Sequence, residues 1–192
     1  MRNIFVVRLS NENGSAMRDY RISIRNKLPQ SILSDVLESD AEFYERIKEF
    51  FGDDDFNVWG TANDRFDAKS VSYKKASMNR SHFDKMESGD YVLFVEGGDS
   101  NIIEYIGMVV FKIESTKLSE IIWSSSVAQD KYDFIYFISD LEKVNFSFNK
   151  FKKMINWSEN GNPRGFTSLD ATRAMLFYDT YGEDLYEILR NK

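Results

Sequence analysis

The chain has 192 residues, 42% hydrophobic and 15% aromatic, so it can bury a sizeable core and is not disordered by composition. The absence of cysteine excludes disulfide bonds and thiolate metal sites, and it fits a reducing cytoplasm. No apolar run is long enough to span a bilayer, and charges interrupt the first apolar segment. We therefore expect a cytoplasmic protein with no signal peptide and no membrane partner.

The net charge is −6, from 25 Lys and Arg residues against 31 Asp and Glu residues. This balance counts against nucleic-acid binding, whose usual footprint is a basic surface. Fields act over only about 10 Å at moderate salt, so a local basic patch can still bind phosphates on an acidic body. Such binding would be modest in affinity and strongly dependent on salt.

The spacing of apolar, β-branched and aromatic residues predicts short strands along most of the chain. The predicted strands are 4–9, 21–25, 56–60, 91–95, 102–113, 134–138 and 143–148. The clearest helix runs from Pro29-Gln30-Ser31 to the break at Gly52, and residues 63–78 have at best a helical tendency. Residues 118–123 are predicted to form either a short helical turn or the beginning of a strand.

Two further helices are predicted in the last third of the chain: a short basic one over 149–157 and one from about Ser168, which residues after Gly182 extend. Five to seven short strands without βαβ alternation predict an α+β barrel flanked by helices.

Few catalytic arrangements are compatible with this composition. The single histidine, His82, and the lack of cysteine leave no basis for a catalytic triad or a multi-histidine metal site. Gly97-Gly98 lacks the lysine and hydroxyl residue of a phosphate-binding loop. The acidic run 53–55 is more typical of a solvated helix end than of a cation site. We predict no enzyme, no metal and no cofactor.

One segment pair imitates a nuclease signature. Gly89-Asp90-Tyr91 followed by Tyr105-Ile106-Gly107 resembles the GIY-YIG pattern, but the gap is long. No arginine follows within the next strand and helix to stabilise a phosphoryl transition state. Two core strands whose turns need glycine explain these residues better.

The candidate ligand site begins at Trp59, at the end of an apolar strand. Gly60 would let a ligand approach the backbone closely, and Thr61 and Asn63 offer a hydroxyl and an amide. An indole face suits stacking of a nucleobase, and an amide suits reading its edge. Trp123 is the candidate for a second wall. The alternative is that both tryptophans belong to the core.

Two groups of basic residues are candidates for phosphate contacts. Tyr73, Lys74, Lys75 and Arg80 follow the Trp59 loop; Lys150, Lys152, Lys153 and Arg164 form the second group. The alternative for each group is a solvated surface. Their proximity to one pocket is an assumption at this point.

An ordered set of short motifs resembles the PUA-like superfamily, in particular its EVE and YTH branches. The motifs are Val58-Trp59-Gly60, Gly89-Asp90-Tyr91-Val92-Leu93-Phe94, Ile106-Gly107-Met108-Val109, Trp123, the segment 132–138 and Arg164-Gly165-Phe166. The resemblance implies a small twisted β-barrel that holds a modified base in an aromatic pocket, with Trp59 as one wall. It also implies a role like that of the N-terminal specificity domains of McrBC-type modification-dependent restriction systems.

From this resemblance we expect a domain over 53–192, with 1–52 as an elaboration packed on the barrel. The expected partner is methylated DNA whose modified base is flipped from the duplex, with further domains or subunits of a restriction complex. An RNA-binding module of the same fold and a protein-interaction domain without a nucleic-acid ligand remain the alternatives.

Overall fold

The structure is a computed structural model that describes residues 1–9, 15–34, 40–67, 72–75, 77–97, 101–123, 132–158, 161, 163 and 165–190. Side chains are described for all of these except 15, 64–67, 72–75 and 77. Arg164, one of the predicted phosphate contacts, lies outside the described residues.

The described residues contain eight strands and seven α-helices. The strands are β1 (Ile4–Leu9), β2 (Asn57–Thr61), β3 (Asp64–Asp67), β4 (Ser72–Lys75), β5 (Tyr91–Glu96), β6 (Ile102–Glu114), β7 (Phe134–Ser147) and β8 (Phe166–Ser168). The helices are α1 (Ser15–Tyr20), α2 (Ala41–Phe51), α3 (Ser77–Lys85), α4 (Thr116–Ile122), α5 (Phe148–Met154), α6 (Ala171–Tyr181) and α7 (Leu185–Arg190). A π-helical turn covers Arg21–Arg25 and a 3₁₀ turn covers Gln30–Leu33.

Six strands form one strongly curled sheet in the order β2-β7-β6-β5-β1-β8, which makes a half-barrel. Neighbouring strands are antiparallel except β1 and β5, which are parallel. The remaining two strands, β3 and β4, form a separate antiparallel hairpin directly after β2. The predicted α+β class with a twisted barrel-like sheet is confirmed.

The curl of the sheet comes largely from its two long central strands. The pairing of β6 with β7 shifts register three times, and such bulges bend strands and increase their twist. Gly107 permits this pairing, because a Cβ there would meet the Ile138 side chain at 2.4 Å. Asp140 has a φ of 50° within β7, so the chain bends there without ending the strand. The predicted strands 134–138 and 143–148 are therefore one strand.

Three hydrophobic cores cover the sheet. Alternate residues of β1 and β5 point to opposite faces, as strand geometry requires. Tyr91 and Leu93 belong to the first core, which is packed under α5, α6 and α7, whereas Val92 and Phe94 belong to the second. The third core lies under α2 and α4. The face of β5 therefore decides which helices a residue meets.

Several predicted elements differ from the structure. The strand prediction for 21–25 is wrong, because this segment continues α1 as a π-helical turn whose carbonyls at Ser23 and Ile24 accept hydrogen bonds from Asn57 Nδ2 at 3.2 and 3.0 Å. The helical tendency of 63–78 is wrong for most of its length, since β3 and β4 form a hairpin there.

Helix starts differ where an aspartate caps the helix. Asp40 accepts a hydrogen bond from the Phe43 backbone N–H, so α2 begins at Ala41 and the 3₁₀ turn before it is separate. Asp170 caps α6 in the same way, and the preceding residues form β8. The segment after Gly182 forms a separate helix, α7.

Strand β1 is hydrogen-bonded to β5 on one side and β8 on the other. The division of the chain at residue 52 stays a prediction, and this strand belongs to the same sheet as the later ones. Among the described residues, no helix is long and apolar enough to cross a bilayer.

Candidate nucleic-acid interface

Three aromatic rings meet beside the end of β2: Trp59, Trp123 and Tyr132, hereafter the aromatic cluster. The Trp59 and Trp123 ring centroids lie 6.4 Å apart with their planes at 78°. Tyr132 lies 6.2 Å from Trp59 at 31° and 5.4 Å from Trp123 at 74°. The structure thus brings together both predicted tryptophans and adds a tyrosine.

Strand pairing explains why these rings converge. Trp59 lies on β2, which pairs with β7 so that Thr61 is opposite Phe134, and Tyr132 comes two residues before that partner. Trp123 directly follows α4, and the cap of this helix, Ser115, is hydrogen-bonded through its backbone N–H to the Asp133 carbonyl at 2.9 Å. One backbone contact therefore holds α4 beside the start of β7.

Gly60 is required by this packing. A Cβ at this position would lie 2.7 Å from Trp123 Cη2 and 2.9 Å from Tyr132 Cβ. The missing side chain lets two aromatic residues lie directly on the β2 backbone. The sequence predicted a close approach at Gly60, and in the structure the close neighbours are the residues of the aromatic cluster.

Trp59 also contacts Tyr20, which belongs to a network of polar residues. The Tyr20 ring meets Trp59 edge-to-face at 6.0 Å, and its hydroxyl donates a hydrogen bond to Glu104 at 3.1 Å. Arg25 donates to the same carboxylate from Nη2 at 2.8 Å and from Nε at 3.2 Å. Burial and the Glu104 charge raise the pKa of Tyr20 far above its usual range, so it stays neutral and remains a donor.

The aromatic cluster is closed in this conformation. Trp59 is 4% exposed and Trp123 is 5% exposed, while Tyr132 is half-buried. The centroids of two aromatic rings in contact lie about 4.5–7 Å apart. A base between Trp59 and Tyr132 would have to form such contacts with both rings, and their present separation is that of a single contact. Tyr132 is the more accessible ring, so its displacement is the simplest way to open the cluster.

The Trp123 indole Nε1 is buried and has no hydrogen-bond partner among the described residues. Buried donors are nearly always paired, because an unpaired one costs roughly 1–3 kcal/mol. A ligand atom that accepts this hydrogen bond would remove that cost. The cluster therefore combines apolar ring faces with one N–H group that has no acceptor among the described residues.

The other residues predicted to read a base edge lie next to the aromatic cluster. Thr61 is buried at the end of β2, and Asn63 is half-buried in the turn after it. The turn is fixed by Asn79, whose buried Nδ2 donates to the Ala62 carbonyl at 2.8 Å. Contacts of Thr61 and Asn63 with a base stay predictions.

The first basic group is divided between the hairpin and α3. Tyr73, Lys74 and Lys75 lie on β4, where Lys74 is the register partner of Arg65. Arg80 on α3 forms a two-pronged pair with Glu114 at 2.6 and 2.7 Å and lies 4.4 Å over the Phe134 ring. In this conformation the Arg80 charge is already compensated by a carboxylate.

The second basic group lies elsewhere. Its lysines are on α5, which packs on the first core, whereas Trp59 belongs to the second. Lys152 is only 4% exposed, and its Nζ lies 5.7 Å from the centre of the Phe148 ring, so its stem is used in packing. Lys153 is exposed. The assumption that both basic groups flank one pocket is therefore not supported by the packing of α5.

Sequence reasoning missed Tyr132 and Tyr20 as part of this site. The position of Tyr132 follows from the β2–β7 register, which places it level with the residues just after Trp59. The periodicity of β2 and β7 predicts two strands, but not their alignment. Tyr20 lies on a short helix that carries no strong periodic signal.

Comparison with solved structures identifies a similar fold over the whole chain. The N-terminal domain of Thermococcus gammatolerans McrB bound to m5C DNA is 16% identical and has a TM-score of 0.63. The match covers 98% of this chain and 99% of that chain. No family model matches the sequence, and no curated protein matches it. The structure therefore has the fold of an McrB N-terminal domain, as the sequence motifs predicted.

Proposed function

We propose that this protein is a nucleic-acid-binding domain that recognises a modified base, most simply a methylated base in duplex DNA. Its role would be that of a specificity domain in a modification-dependent restriction or defence system. The domain binds and does not catalyse. Other domains or subunits of such a system would carry out cleavage, and the setting would be the cytoplasm.

The observation that carries this proposal is the aromatic cluster with its unmet indole donor, in a chain that has the fold of a domain solved with m5C DNA. A methyl group on a base adds apolar area, which ring faces bind favourably. Stacking on an aromatic side chain contributes roughly 1–3 kcal/mol per base. An acceptor atom on the edge of the base would form a hydrogen bond with the buried indole N–H, which favours binding of the base.

The base would have to leave the duplex, because the cluster lies at the end of a strand and is too enclosed to contact a stacked base pair. Extrusion costs a few kcal/mol. Trp59 would stack on the base and Trp123 would donate to it, with Tyr132 displaced to admit it. Thr61 and Asn63 would read the remaining edge.

Phosphate contacts are assigned to Tyr73, Lys74 and Lys75 on the hairpin, with Arg80 exchanging Glu114 for a phosphate. Lys153 and Arg164 would contact more distant phosphates. Lys152 lies on α5 and is only 4% exposed, so little of it can meet a ligand, and no phosphate contact is assigned to it. Each of these five cations would release a counterion from the phosphate it meets, so binding should weaken as salt rises.

Fluorescence anisotropy at low salt tests the proposal. Duplexes containing 5-methylcytosine, N6-methyladenine, 5-hydroxymethylcytosine or no modification are compared with single-stranded RNA of matched sequence. We expect one modified duplex to bind most tightly, with an advantage over the unmodified duplex that persists in Trp157→Phe. Trp157 is the third tryptophan and packs on the first core, so it serves as the control.

Equal binding across the panel, or none, would contradict the proposal and favour a protein-interaction domain. A preference for RNA over every duplex would instead assign the aromatic cluster to single-stranded RNA.

A further inference from the structure

Met78 is an exposed apolar side chain in a segment of the chain that carries only positive charges. It is 71% exposed, more than any other large apolar residue in the described part of the chain except Met1. The segment around it, residues 68–83, has no aspartate or glutamate and contains Lys69, Lys74, Lys75 and Arg80. A single exposed methionine is ordinary on a protein surface, so its position and its neighbours decide what it can do.

Exposed apolar residues elsewhere have acidic neighbours. Tyr44 and Phe50 lie on α2, which also carries three exposed glutamates. Met175 and Leu176 lie on α6 between two aspartates. Because negative charges repel the phosphates of a nucleic acid, Met78 is better placed to meet one than these residues are.

Met78 is attached to the aromatic cluster through the first turn of α3. The next residue of this turn is Asn79, whose buried Nδ2 donates to the Ala62 carbonyl at 2.8 Å. Ala62 directly follows β2, the strand that carries Trp59. One hydrogen bond therefore joins the turn of α3 that carries Met78 to the end of the Trp59 strand.

The helix that carries Met78 is a rigid support. Phe83 stacks on Phe134 of β7, with ring centroids 4.8 Å apart and planes at 19°. At the other end of the helix, Lys112 Nζ donates to the carbonyls of Phe83 and Asp84 at 2.6 and 3.1 Å. Phe134 comes two residues after Tyr132, so α3 is fixed to both segments that supply the walls of the proposed base site. A side chain on α3 can therefore press against a base stack while the helix stays in place.

From these features we propose that Met78 is an apolar wedge, which enters the DNA stack at the position that the modified base has left. Apolar side chains, methionine among them, enter base steps in proteins that deform DNA. Methionine is unbranched and polarisable, so it fits an irregular gap. Lys74 and Lys75 before it and Arg80 after it would hold the neighbouring phosphates. The inference rests on the proposed recognition of an extruded base, and it adds that the substrate is a duplex, because a single strand has no such gap to fill.

Fluorescence anisotropy at fixed low salt with Met78→Ala tests the wedge. The probes are the modified duplex that the wild-type protein prefers and the same modified strand without its complement. We expect Met78→Ala to bind the duplex about five- to tenfold more weakly and the single strand with wild-type affinity, because only the duplex has to be opened. Met175→Ala, which changes an exposed methionine on α6, is the matched control and should leave both affinities unchanged.

A mismatch opposite the modified base gives a second test, because a mismatched base is extruded more easily. The loss of affinity in Met78→Ala should shrink to about twofold or less on the mismatched duplex. An undiminished loss there would assign Met78 to an ordinary contact with the duplex surface and overturn the wedge.

The same series separates this inference from the proposed function. If the wild-type protein prefers a modified duplex but Met78→Ala binds it equally well, or weakens the duplex and the single strand alike, the wedge is overturned and recognition of the modified base stands. If the wild-type protein prefers no modified duplex, the proposed function is overturned and the wedge falls with it.

Discussion

The two aromatic regions of this molecule differ in whether their rings enclose space. In the aromatic cluster, the rings contact one another and both tryptophans are almost fully buried. In the second region, the rings of Tyr91, Tyr178 and Tyr186 line a cavity of about 510 Å³ that the protein does not fill, hereafter the tyrosine cavity. Both regions contain unpaired polar atoms. The number of aromatic residues in a sequence therefore does not show whether a pocket is preformed or has to open.

The largest contrast between the regions should appear in truncation of a ring. Trp59→Ala removes an indole from a filled core and should lower the free energy of unfolding by about 3–5 kcal/mol. That is a large part of the 5–15 kcal/mol typical of a domain. Tyr186→Ala only enlarges an existing cavity and should lower it less.

Urea denaturation followed by circular dichroism measures both variants. Equal losses would show that the two regions are packed alike. Because Trp59→Ala endangers folding, it is unsuitable as the test of ligand binding, for which a more exposed ring is needed.

A smaller effect is expected from Gly60→Ala. The new Cβ would lie within 3.0 Å of the Trp123 and Tyr132 side chains, so the aromatic cluster must shift. Overpacking of this kind costs about 1–3 kcal/mol. Gly182→Ala is an unsuitable control because of its positive φ, so Ser119→Ala, at another buried position of a small residue, serves for comparison. If Gly60→Ala had the same thermal unfolding midpoint as the wild-type protein, the close packing around Gly60 would be contradicted.

Removing a single hydroxyl tests whether the buried phenols are unpaired on both faces of the sheet. The Tyr136 hydroxyl is fully buried in the second core and has no hydrogen-bond partner in the part of the chain that the structure describes, and burial raises its pKa far above the usual range. Tyr136→Phe should therefore be neutral or stabilise the fold by up to about 1 kcal/mol. Tyr178→Phe should have a similarly small effect, because the Tyr178 hydroxyl is also buried without a partner among the described residues. A marked loss in Tyr136→Phe would reveal a partner for the hydroxyl.

The smallest expected effect is a change of folding stability with pH that arises at His82, beside the second core. His82 Nδ1 is hydrogen-bonded to Ser168 Oγ at 2.8 Å, and Nε2 is buried with no hydrogen-bond partner among the residues described. Burial lowers the pKa of His82 from its ordinary 6.5, and the Lys85 charge lowers it further. The unfolded chain then binds the proton more readily, so this contribution to stability is present above pH 6.5 and is lost as pH falls through the folded pKa.

Thermal unfolding between pH 7 and pH 5 tests this sign. His82 is the only histidine, so His82→Gln should flatten the profile in that window. A wild-type protein that gains stability on acidification would contradict the account.

Sequence patterns were sufficient for most strands and for the fold class. Alternation and β-branched residues identify β1, β2, β5 and β6, whose faces are defined by burial. They fail where tertiary contacts decide. The segment 21–25 has the alternation of a strand, but Asn57 fixes its carbonyls in a helical turn. The polar residues within β7 resemble a loop, yet the pairing with β6 continues past them.

The site was predictable only in part for the same reason. The Trp59-Gly60 step and the later Trp123 are visible as residues, and the motifs that surround them indicate the fold. Tyr132 enters through strand register and Tyr20 through the packing of a short helix, and neither is encoded in local periodicity. The tyrosine cavity unites residues from Arg2 to Tyr186, a separation that no local pattern spans.

The central claim is that the aromatic cluster selects a modified base, and Tyr132→Ala tests it most directly. Tyr132 is the half-buried member, so its removal should spare the fold better than Trp59→Ala does. The measurement is the ratio of affinities for a methylated and an unmethylated duplex of the same sequence, by anisotropy at fixed low salt. Tyr44→Ala, an exposed tyrosine on α2, is the control.

We predict that this ratio falls about fivefold or more in Tyr132→Ala, the lower end of the energy of stacking one base, and stays unchanged in Tyr44→Ala. A folded Tyr132→Ala protein that keeps the wild-type ratio would contradict the claim and place modified-base recognition, if present, outside the aromatic cluster.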